Sequence, residues 1–465
     1  MPIFIYNSLT RKKEEFVPLS KGRVKIYTCG VTVYDACHIG HARSLFIFDL
    51  IRRYFKYRGF KVSFVRNITD IDDKIINRSN ELKVGWKELV DKYIESYHRD
   101  LDVLGIEKAD FEPRATENIP DMVKYIEKLI SKGFAYASAG DVYFDVRKFC
   151  EYGMLSGQSI DAMHAGVRIE LAETKNDPLD FALWKRSKEN EPFWESPWGR
   201  GRPGWHIECS VMSQKFLKTE TLDIHAGGRD LIFPHHENEL AQSQAYTGKQ
   251  FAKYWIHHGL LTINGQKMSK SLGNFITIDD FIKKYHNPGF IKFFFLSAHY
   301  SHPIDFTEAK IQEAKQALER IGIFMEKSKA FEPGLLASLK KHKEINDLKE
   351  KFISRLDDDF NTPEALACVF DLVNLANKNI EKADFVSYAR KELEEMLKVL
   401  GISLKAQEKI ETGISDEEIK IRVEERISAK RSKDYVLSDK IRHDLESKGV
   451  ILEDTKEGTA WRRKL

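Results

Sequence analysis

Two short loops, far apart in the sequence, carry residue types that suit the handling of phosphate. The first is residues 38–41, with the sequence H-I-G-H, and the second is residues 267–271, with the sequence K-M-S-K-S. Histidines donate hydrogen bonds to phosphate oxygens, and Gly40 lets a nucleotide approach the backbone closely. Lys267 and Lys270 can neutralise the charge that develops on a departing pyrophosphate. Each loop alone is more often an ordinary surface turn, but the two together, each after a strand, indicate a phosphate-handling active site.

The segments around these loops predict how they are held. Residues 24–28 form an apolar run typical of a buried strand, and residues 42–57 have the periodicity of an amphipathic helix. Gly40 therefore lies where a strand gives way to a helix. The start of a helix presents free N–H groups and the positive end of its dipole, which favour an anion. Residues 254–263 predict a strand that leads to the second loop.

A further group of residues has the chemistry of metal ligands. Cys29 ends the first predicted strand, Cys209 lies in the string G-W-H-I-E-C-S, and His235 and Glu239 share one face of a predicted helix. Two thiolates with an imidazole and a carboxylate suit zinc, although isolated cysteines are more often small buried residues. The spacing leaves two substitutes open: His236 for His235, and Glu237 for Glu239.

The composition narrows the class of protein. The chain has 465 residues, which suggests two to four domains, and a net charge of +3, so any nucleic-acid surface must be a local patch. No stretch approaches the roughly 20 apolar residues that span a bilayer, and residues 1–23 lack the apolar core of a signal peptide. Five scattered cysteines do not make a disulfide framework. We therefore expect a cytoplasmic protein with no membrane partner.

The order of predicted elements indicates an α/β fold with a doubly wound parallel sheet. Strands and helices alternate in two stretches, and the segment between them breaks this rhythm with a hairpin near 136–146. After residue 303 helical periodicity dominates, and residues 414–465 predict two helices and a basic tail. The predicted divisions are the first half of the nucleotide fold (1–112), an insertion (113–203), its second half (204–303), a helical region (304–402) and a final segment (403–465).

Five strings of the sequence resemble the cysteinyl-tRNA synthetase family, which belongs to the class I aminoacyl-tRNA synthetases. They are residues 29–44, 65–75, 204–210, 225–239 and 267–274. The resemblance implies a Rossmann-like catalytic domain with an inserted connective subdomain, then a helical bundle and a small C-terminal anticodon-binding domain. It also implies the reaction. ATP activates L-cysteine to cysteinyl adenylate, and cysteine passes to the 3′ end of tRNA(Cys), with release of AMP and pyrophosphate.

The resemblance also implies a zinc ion at the amino-acid site. Zinc binds a thiolate far better than a hydroxyl, so it would separate cysteine from serine. The implied zinc ligands are Cys29, Cys209, His235 and Glu239, and the implied neighbours of the substrate are Thr69, Trp205 and His225. Without the resemblance, these three neighbours would be read as ordinary core or strand-end residues.

The implied activation step needs no general base, because the carboxylate of the substrate is already ionised. His38 and His41 are expected to contact the α and β phosphates of ATP beside Gly40, with Mg²⁺ bound to the nucleotide. Lys267 and Lys270 are expected to stabilise the leaving pyrophosphate.

The end of the chain separates this function from its rivals. G-T-A-W-R-R-K resembles the end of an anticodon-binding domain, in which Trp461 stacks on a base and Arg462 and Arg463 meet phosphates or base edges. The alternative for this segment is a fraying tail anchored by one tryptophan. One rival function, a cysteine ligase of mycothiol synthesis, would not need an anticodon-binding domain. A second rival, an RNA-binding paralogue without catalysis, would not need intact signature loops. The expected partners are tRNA(Cys), L-cysteine and ATP, and the expected assembly is a monomer.

Overall fold

The computed structural model describes residues 2–160, 175–270, 272–331, 342–404, 415–448, 450–455 and 458–463. The chain forms two compact units, Met1–Ile402 and Ser403–Leu465. The strands are β1 (Phe4–Asn7), β2 (Lys12–Glu15), β3 (Arg23–Thr32), β4 (Lys61–Thr69), β5 (Ala135–Ser138), β6 (Asp141–Phe144), β7 (Phe181–Arg186), β8 (Gly201–Pro203), β9 (Leu222–Gly228), β10 (Ala252–His258), β11 (Leu261–Ile263), β12 (Gln266–Lys267), β13 (Ile304–Phe306), β14 (Val450–Thr455) and β15 (Gly458–Arg463).

The α-helices of the described residues are α1 (Ile39–Tyr57), α2 (Asp73–Leu82), α3 (Trp86–Leu104), α4 (Ile119–Ser131), α5 (Trp205–Leu217), α6 (Glu237–Thr247), α7 (Ile278–Tyr285), α8 (Pro288–Leu296), α9 (Glu308–Ser328), α10 (Lys343–Asp357), α11 (Thr362–Lys378), α12 (Ala383–Val399), α13 (Asp416–Arg431) and α14 (Tyr435–Ser447). Among them, none has both the length and the apolar character needed to cross a bilayer.

A parallel sheet with the strand order β10-β9-β3-β4 lies at the centre of the first unit. Its strands are mostly buried, as expected for a parallel sheet covered on both faces. Tyr27, His225 and Trp255 lie side by side at the middle of β3, β9 and β10, and the strands continue from there to the carboxyl edge of the sheet. Open α/β sheets bind their ligands at this edge. The predicted α/β class with a parallel sheet is confirmed.

The strand predicted over residues 254–263 is interrupted. It forms β10 and β11, which are separated by Gly259 and Leu260. The carbonyls of both residues accept hydrogen bonds from the buried guanidinium of Arg43, and that of Leu260 also accepts from the Ile304 amide of β13 over 2.9 Å. β11 instead pairs with β12 and β13 in a small separate sheet that leads into the lysine loop.

The segment between the halves of the parallel sheet has its own sheet. β5, β6, β7 and β8 are antiparallel neighbours in that order, and the expected hairpin near 136–146 is β5 and β6. The helices after residue 303 are amphipathic, as the periodicity predicted, and α9, α11 and α12 bury one face each. Residues 332–341, where another part of the helical region was expected, lie outside the described residues.

The second unit corrects one prediction. Residues 450–463 are a β-hairpin of β14 and β15 and not a simple tail. Val450 and Leu452 of β14 are buried against Ile419 and Leu445 of the two helices, so burial of alternate strand residues favours pairing over fraying.

Candidate active site and metal centre

The first loop is held by its own two histidines. α1 begins at Ile39 with His38 as its N-cap, three residues before the predicted start. The His41 amide donates to Nδ1 of His38 over 3.2 Å, and the His38 amide donates to Nδ1 of His41 over 3.3 Å. Because a backbone N–H can only donate, each Nδ1 is an acceptor and each ring carries its proton on Nε2. The rings stack with their centroids 3.7 Å apart.

Burial keeps both histidines neutral. Loss of solvation lowers the pKa of His38 to about 4 and that of His41 to about 3. At neutral pH the loop therefore presents two uncharged rings, each with an Nε2–H donor. These donors can bind anionic oxygens without adding a charge of their own.

The second loop lies directly against the first. The Ile39 amide donates to the Ile276 carbonyl over 3.1 Å, and the Ile278 amide donates to the Cys37 carbonyl over 3.0 Å. The first amides of α1 were expected to be free for an anion, and the Ile39 amide is not. Met268 Cε lies 3.4 Å from where a Cβ on Gly40 would be, so the two loops touch at this glycine.

Within the lysine loop, Asn274 fixes the backbone. Its Oδ1 accepts from the Ser269 amide over 2.8 Å, and its Nδ2 donates to the Lys267 carbonyl over 3.2 Å. Lys267 is exposed on β12, and Lys270 reaches across to the carboxylate of Asp35, just ahead of the first loop. Ser271, the last residue of the motif, lies outside the described residues.

The four predicted metal ligands converge although they come from separate segments. The sulfur atoms of Cys29 and Cys209 are 3.8 Å apart. Nε2 of His235 lies 3.7 Å from Sγ of Cys209 and 2.9 Å from Oε1 of Glu239, which lies 3.3 Å from Sγ of Cys29. All four donor atoms lie within 4.8 Å of one another. A tetrahedral zinc site needs sulfur atoms about 3.8 Å apart and sulfur–nitrogen pairs at about 3.5 Å, so this group fits zinc.

Local backbone features aim these side chains. β3 pairs with β4 up to Thr28 and again from Val31, so Cys29 and Gly30 form a bulge, which can redirect a side chain. A Cβ on Gly30 would lie 1.5 Å from the Asn67 carbonyl oxygen, so only glycine fits there. His235 precedes α6 in a π-helical turn, Ile232–His236, rather than lying in the α-helix as predicted.

A second possible ligand set overlaps the first. It consists of Cys29, His225, His236 and Glu239. In this set His236 takes the place of His235, as the spacing had left open. Nε2 of His236 lies 3.2 Å from Sγ of Cys29, and Nε2 of His225 lies 2.6 Å from Oε2 of Glu239. Glu237 does not join either set, because its carboxylate accepts from the amides of Gly153 and Ser156.

The electrostatics of the group favour anionic donors. Burial opposes ionisation of Cys209, but hydrogen bonds from Cys29 and His235 outweigh it and lower the pKa of that thiol to about 6. The pKa of Glu239 is lowered well below its usual range, because His225 and His235 outweigh the effect of burial. Burial also disfavours a charged His235, but the charge of Glu239 raises its pKa to about 10. The cluster thus contains two groups that carry negative charge at neutral pH.

The predicted substrate neighbours fall at different depths. The indole of Trp205 is 36% exposed and stacks on the ring of His235 with centroids 4.0 Å apart. Thr69 is buried and donates to Oε2 of Glu208 over 2.7 Å. His225 has no exposed surface and contacts Glu239, so its side chain supports a candidate ligand from within the core.

In the second unit, Trp461 lies on β15 opposite Leu452 and packs in part against the small core of the unit. This packing agrees with the alternative stated for this segment, in which the tryptophan serves as an anchor. Arg462 and Arg463 follow on the same strand.

Sequence reasoning missed several polar residues around the cluster. Nδ1 of His206 lies 2.8 Å from Nδ1 of His235, and Oδ1 of Asn67 accepts from the Gly30 amide over 2.8 Å. Such partners orient metal ligands. Both residues lie within strings that carried the family resemblance, but nothing in their local spacing indicates which neighbours they contact.

Comparison with known proteins defines the class. The family model described as tRNA synthetases class I (C) catalytic domain matches residues 15–316, and the DALR domain model matches residues 351–405. The fold is shared with the methionyl-tRNA synthetase of Mycobacterium tuberculosis, solved with methionyl-adenylate, at a TM-score of 0.60 and 15% identity over 81% of this chain and 90% of that one. The chain is a class I aminoacyl-tRNA synthetase.

Relatives with similar sequences give the particular family. The cysteine–tRNA ligase of Anoxybacillus flavithermus is 48% identical over 100% of both chains, and that of Clostridioides difficile is 48% identical over 99% of both. The chain belongs to the cysteine–tRNA ligase family. The rivals considered from the sequence, a sugar ligase and a non-catalytic paralogue, are not favoured by these relatives.

Proposed function

We propose that this cysteine–tRNA ligase recognises its amino acid through one zinc ion held by Cys29, Cys209, His235 and Glu239. The observation that carries the proposal is the convergence of these four donor atoms within 4.8 Å, with a sulfur–sulfur distance of 3.8 Å. Zinc bound there would supply a site that prefers a thiolate to a neutral hydroxyl.

This set is favoured over the one with His225 and His236. It contains both thiols, which zinc prefers, and the other contains one. His235 also stacks under the partly exposed Trp205, so this side of the cluster faces a route for substrate, whereas His225 and His236 have no exposed surface. His225 then supports Glu239, and His236 is held by His257 over 2.8 Å.

Next to this selectivity site, the two signature loops act on ATP. His38 and His41 donate from Nε2 to the α and β phosphates, and Gly40 lets the nucleotide lie close to α1. Lys267 and Lys270 stabilise the pyrophosphate as it leaves, and Mg²⁺ accompanies ATP. These roles are supported by the neutral Nε2–H tautomers and by the contact of Met268 with Gly40. They require charge stabilisation and positioning and no proton transfer.

Further contacts complete the proposal. Trp205 covers the bound amino acid, and Thr69 lies beside it, fixed by Glu208. The terminal ribose hydroxyl of tRNA(Cys) attacks the adenylate, and Trp461, Arg462 and Arg463 bind the tRNA.

The test is metal analysis of the purified enzyme together with amino-acid-dependent exchange of labelled pyrophosphate into ATP. We expect one zinc per chain and exchange that depends on cysteine and barely on serine. Cys209→Ser should lose both zinc and exchange. Cys368→Ser is the matched control, because Cys368 is equally buried but lies in α11. A fully active preparation without stoichiometric zinc, or similar exchange with serine, would refute the proposal.

A further inference from the structure

The side chain of Lys270 has an anionic partner just ahead of the first loop. Its Nζ donates to Oδ2 of Asp35, which lies three residues before His38. The lysine side chain is 55% exposed, whereas that of Asp35 is only 15% exposed. The pair therefore spans the space between the two signature loops, with one flexible member and one nearly buried member.

Asp35 is fixed from behind. Its Oδ1 accepts from the Ala36 amide over 2.8 Å, and the Tyr93 hydroxyl on α3 lies near its carboxylate. Most of the entropy cost of an ion pair comes from ordering its two side chains. Because Asp35 is already ordered by these contacts, the cost falls mainly on the lysine.

Lys270 has a second contact on its other side. Its Nζ lies 5.2 Å from the centre of the Phe275 ring, and that ring packs edge-on against His38 with centroids 5.2 Å apart. The lysine is thus held between Phe275 and Asp35, above the histidines that are proposed to bind phosphate.

We infer that Asp35 is a positioning residue whose carboxylate holds the lysine loop closed before ATP binds and releases Lys270 to the phosphates afterwards. The inference rests on the role proposed for Lys270 above. The exchange is electrostatically favourable, because a triphosphate carries more negative charge than one carboxylate and competes for the same ammonium group. After pyrophosphate leaves, Asp35 is again the nearest partner for the lysine.

The experiment is limited trypsin digestion of the full chain, with the fragments that end at Lys267 or Lys270 quantified by mass spectrometry. Asp35→Asn keeps the size of the side chain and its acceptor for the Ala36 amide but removes the charge. Without nucleotide, we expect cleavage in the loop to rise about two- to fivefold, the range for an ion pair with one exposed member. With a saturating non-hydrolysable ATP analogue and Mg²⁺, the variant and the parent should be cut equally slowly.

Asp279→Asn is the matched control, since it removes a carboxylate from an exposed pair with Lys283 on α7, shortly after the loop. It should leave cleavage in the loop unchanged. Equal cleavage of Asp35→Asn and parent without nucleotide, or a difference that persists at saturation with the analogue, would overturn the inference.

A salt titration of the unaltered enzyme tests the same point if Asp35→Asn does not fold. Raising the salt from about 0.1 to about 1 M shortens the screening length from roughly 10 to 3 Å, so cleavage in the loop should increase only when nucleotide is absent. Cleavage that does not respond to salt overturns the inference.

Failure of the inference can be distinguished from failure of the proposed function. If Lys270→Ala abolishes exchange while Asp35→Asn is as protected as the parent, the role of the lysine stands and that of Asp35 falls. If Lys270→Ala exchanges normally, the inference falls with the proposed function.

Discussion

Arg43 provides the sharpest test of how the two signature loops are kept in register. It lies on α1, two residues after the first loop, and its side chain has no exposed surface. Its guanidinium donates to the carbonyls of Gly259 and Leu260, each over 2.8 Å, and to those of Tyr300 and His302 over 3.2 and 2.6 Å. These carbonyls lie just before β11 and just before β13, the paired strands that lead to the lysine loop.

Arg43→Met keeps an unbranched side chain and removes all of these bonds. The bonds to Gly259 and Tyr300 are buried, but neither carbonyl is left without a partner, because that of Tyr300 also accepts from the Gly259 amide and that of Gly259 lies 2.9 Å from Nδ1 of His258. The cost is therefore that of the lost bonds to a charged group, about 1.5–3 kcal/mol each, which gives roughly 3–6 kcal/mol for the two buried ones. For a unit of this size, that corresponds to a fall in Tm of roughly 4–7 °C. Burial lowers the pKa of Arg43 to about 10, so the residue stays charged at pH 7 and its bonds are charge-assisted.

The assay combines thermal unfolding with pyrophosphate exchange at a temperature where the variant is folded. We expect Arg43→Met to lower kcat for exchange as well as Tm, and to keep its zinc, because Arg43 does not contact the cluster. Arg43→Lys should lie between the parent and Arg43→Met in both Tm and kcat, since an ammonium group cannot donate to all four carbonyls. Arg320→Met, at an exposed position on α9, is the control. An Arg43→Met enzyme with unchanged Tm and kcat would show that the hydrogen bonds of Arg43 do not position the lysine loop.

Two further predictions concern the signature loops themselves. Lys270→Ala should lower adenylate formation more than tenfold and leave tRNA affinity nearly unchanged, because the role proposed for the lysine is confined to pyrophosphate; similar exchange rates for variant and parent would contradict that role. His41→Gln should make Tm less sensitive to acid. The folded pKa of His41, about 3, lies below the usual histidine value, so the unfolded chain binds a proton first and stability falls as pH drops from about 6.5 to about 3. The variant lacks this titrating group, and the assignment would be refuted if the Tm of the variant and that of the parent fell equally over that pH range.

The sequence predicted those elements whose signal is local. The strand at β3 and the helix at α1 followed from a short apolar run and from helical periodicity. The hairpin of β14 and β15 was missed because its burial depends on contacts with Ile419 and Leu445 of the two preceding helices, which the pattern within the strands does not reveal. Ile451 is also apolar, so β14 begins with three apolar residues in a row and does not show a clear alternation.

The candidate site was predictable as a list of residues but not as an arrangement. Spacing alone could not choose between His235 and His236, because both face the same cluster and contact Cys209 and Cys29 respectively. The resemblance to the family supplied that choice. The pair of Asp35 and Lys270 spans 235 residues of sequence and has no local signature.

Charge balance explains why this cluster is suited to a cation rather than to a packed core. The Cys209 thiol and the Glu239 carboxylate both have lowered pKa values and negligible exposure, and a buried negative charge is costly unless it is paired. In the chain alone, the raised pKa of His235 supplies the compensation, because a proton on that ring lies between the two anions. A divalent ion can replace this proton and also neutralise the second negative charge, so the same donors that destabilise an empty core favour a bound metal. The histidines of the first loop differ from this cluster in their charge. They are kept neutral by burial, and in the proposed function the charge arrives there with the nucleotide.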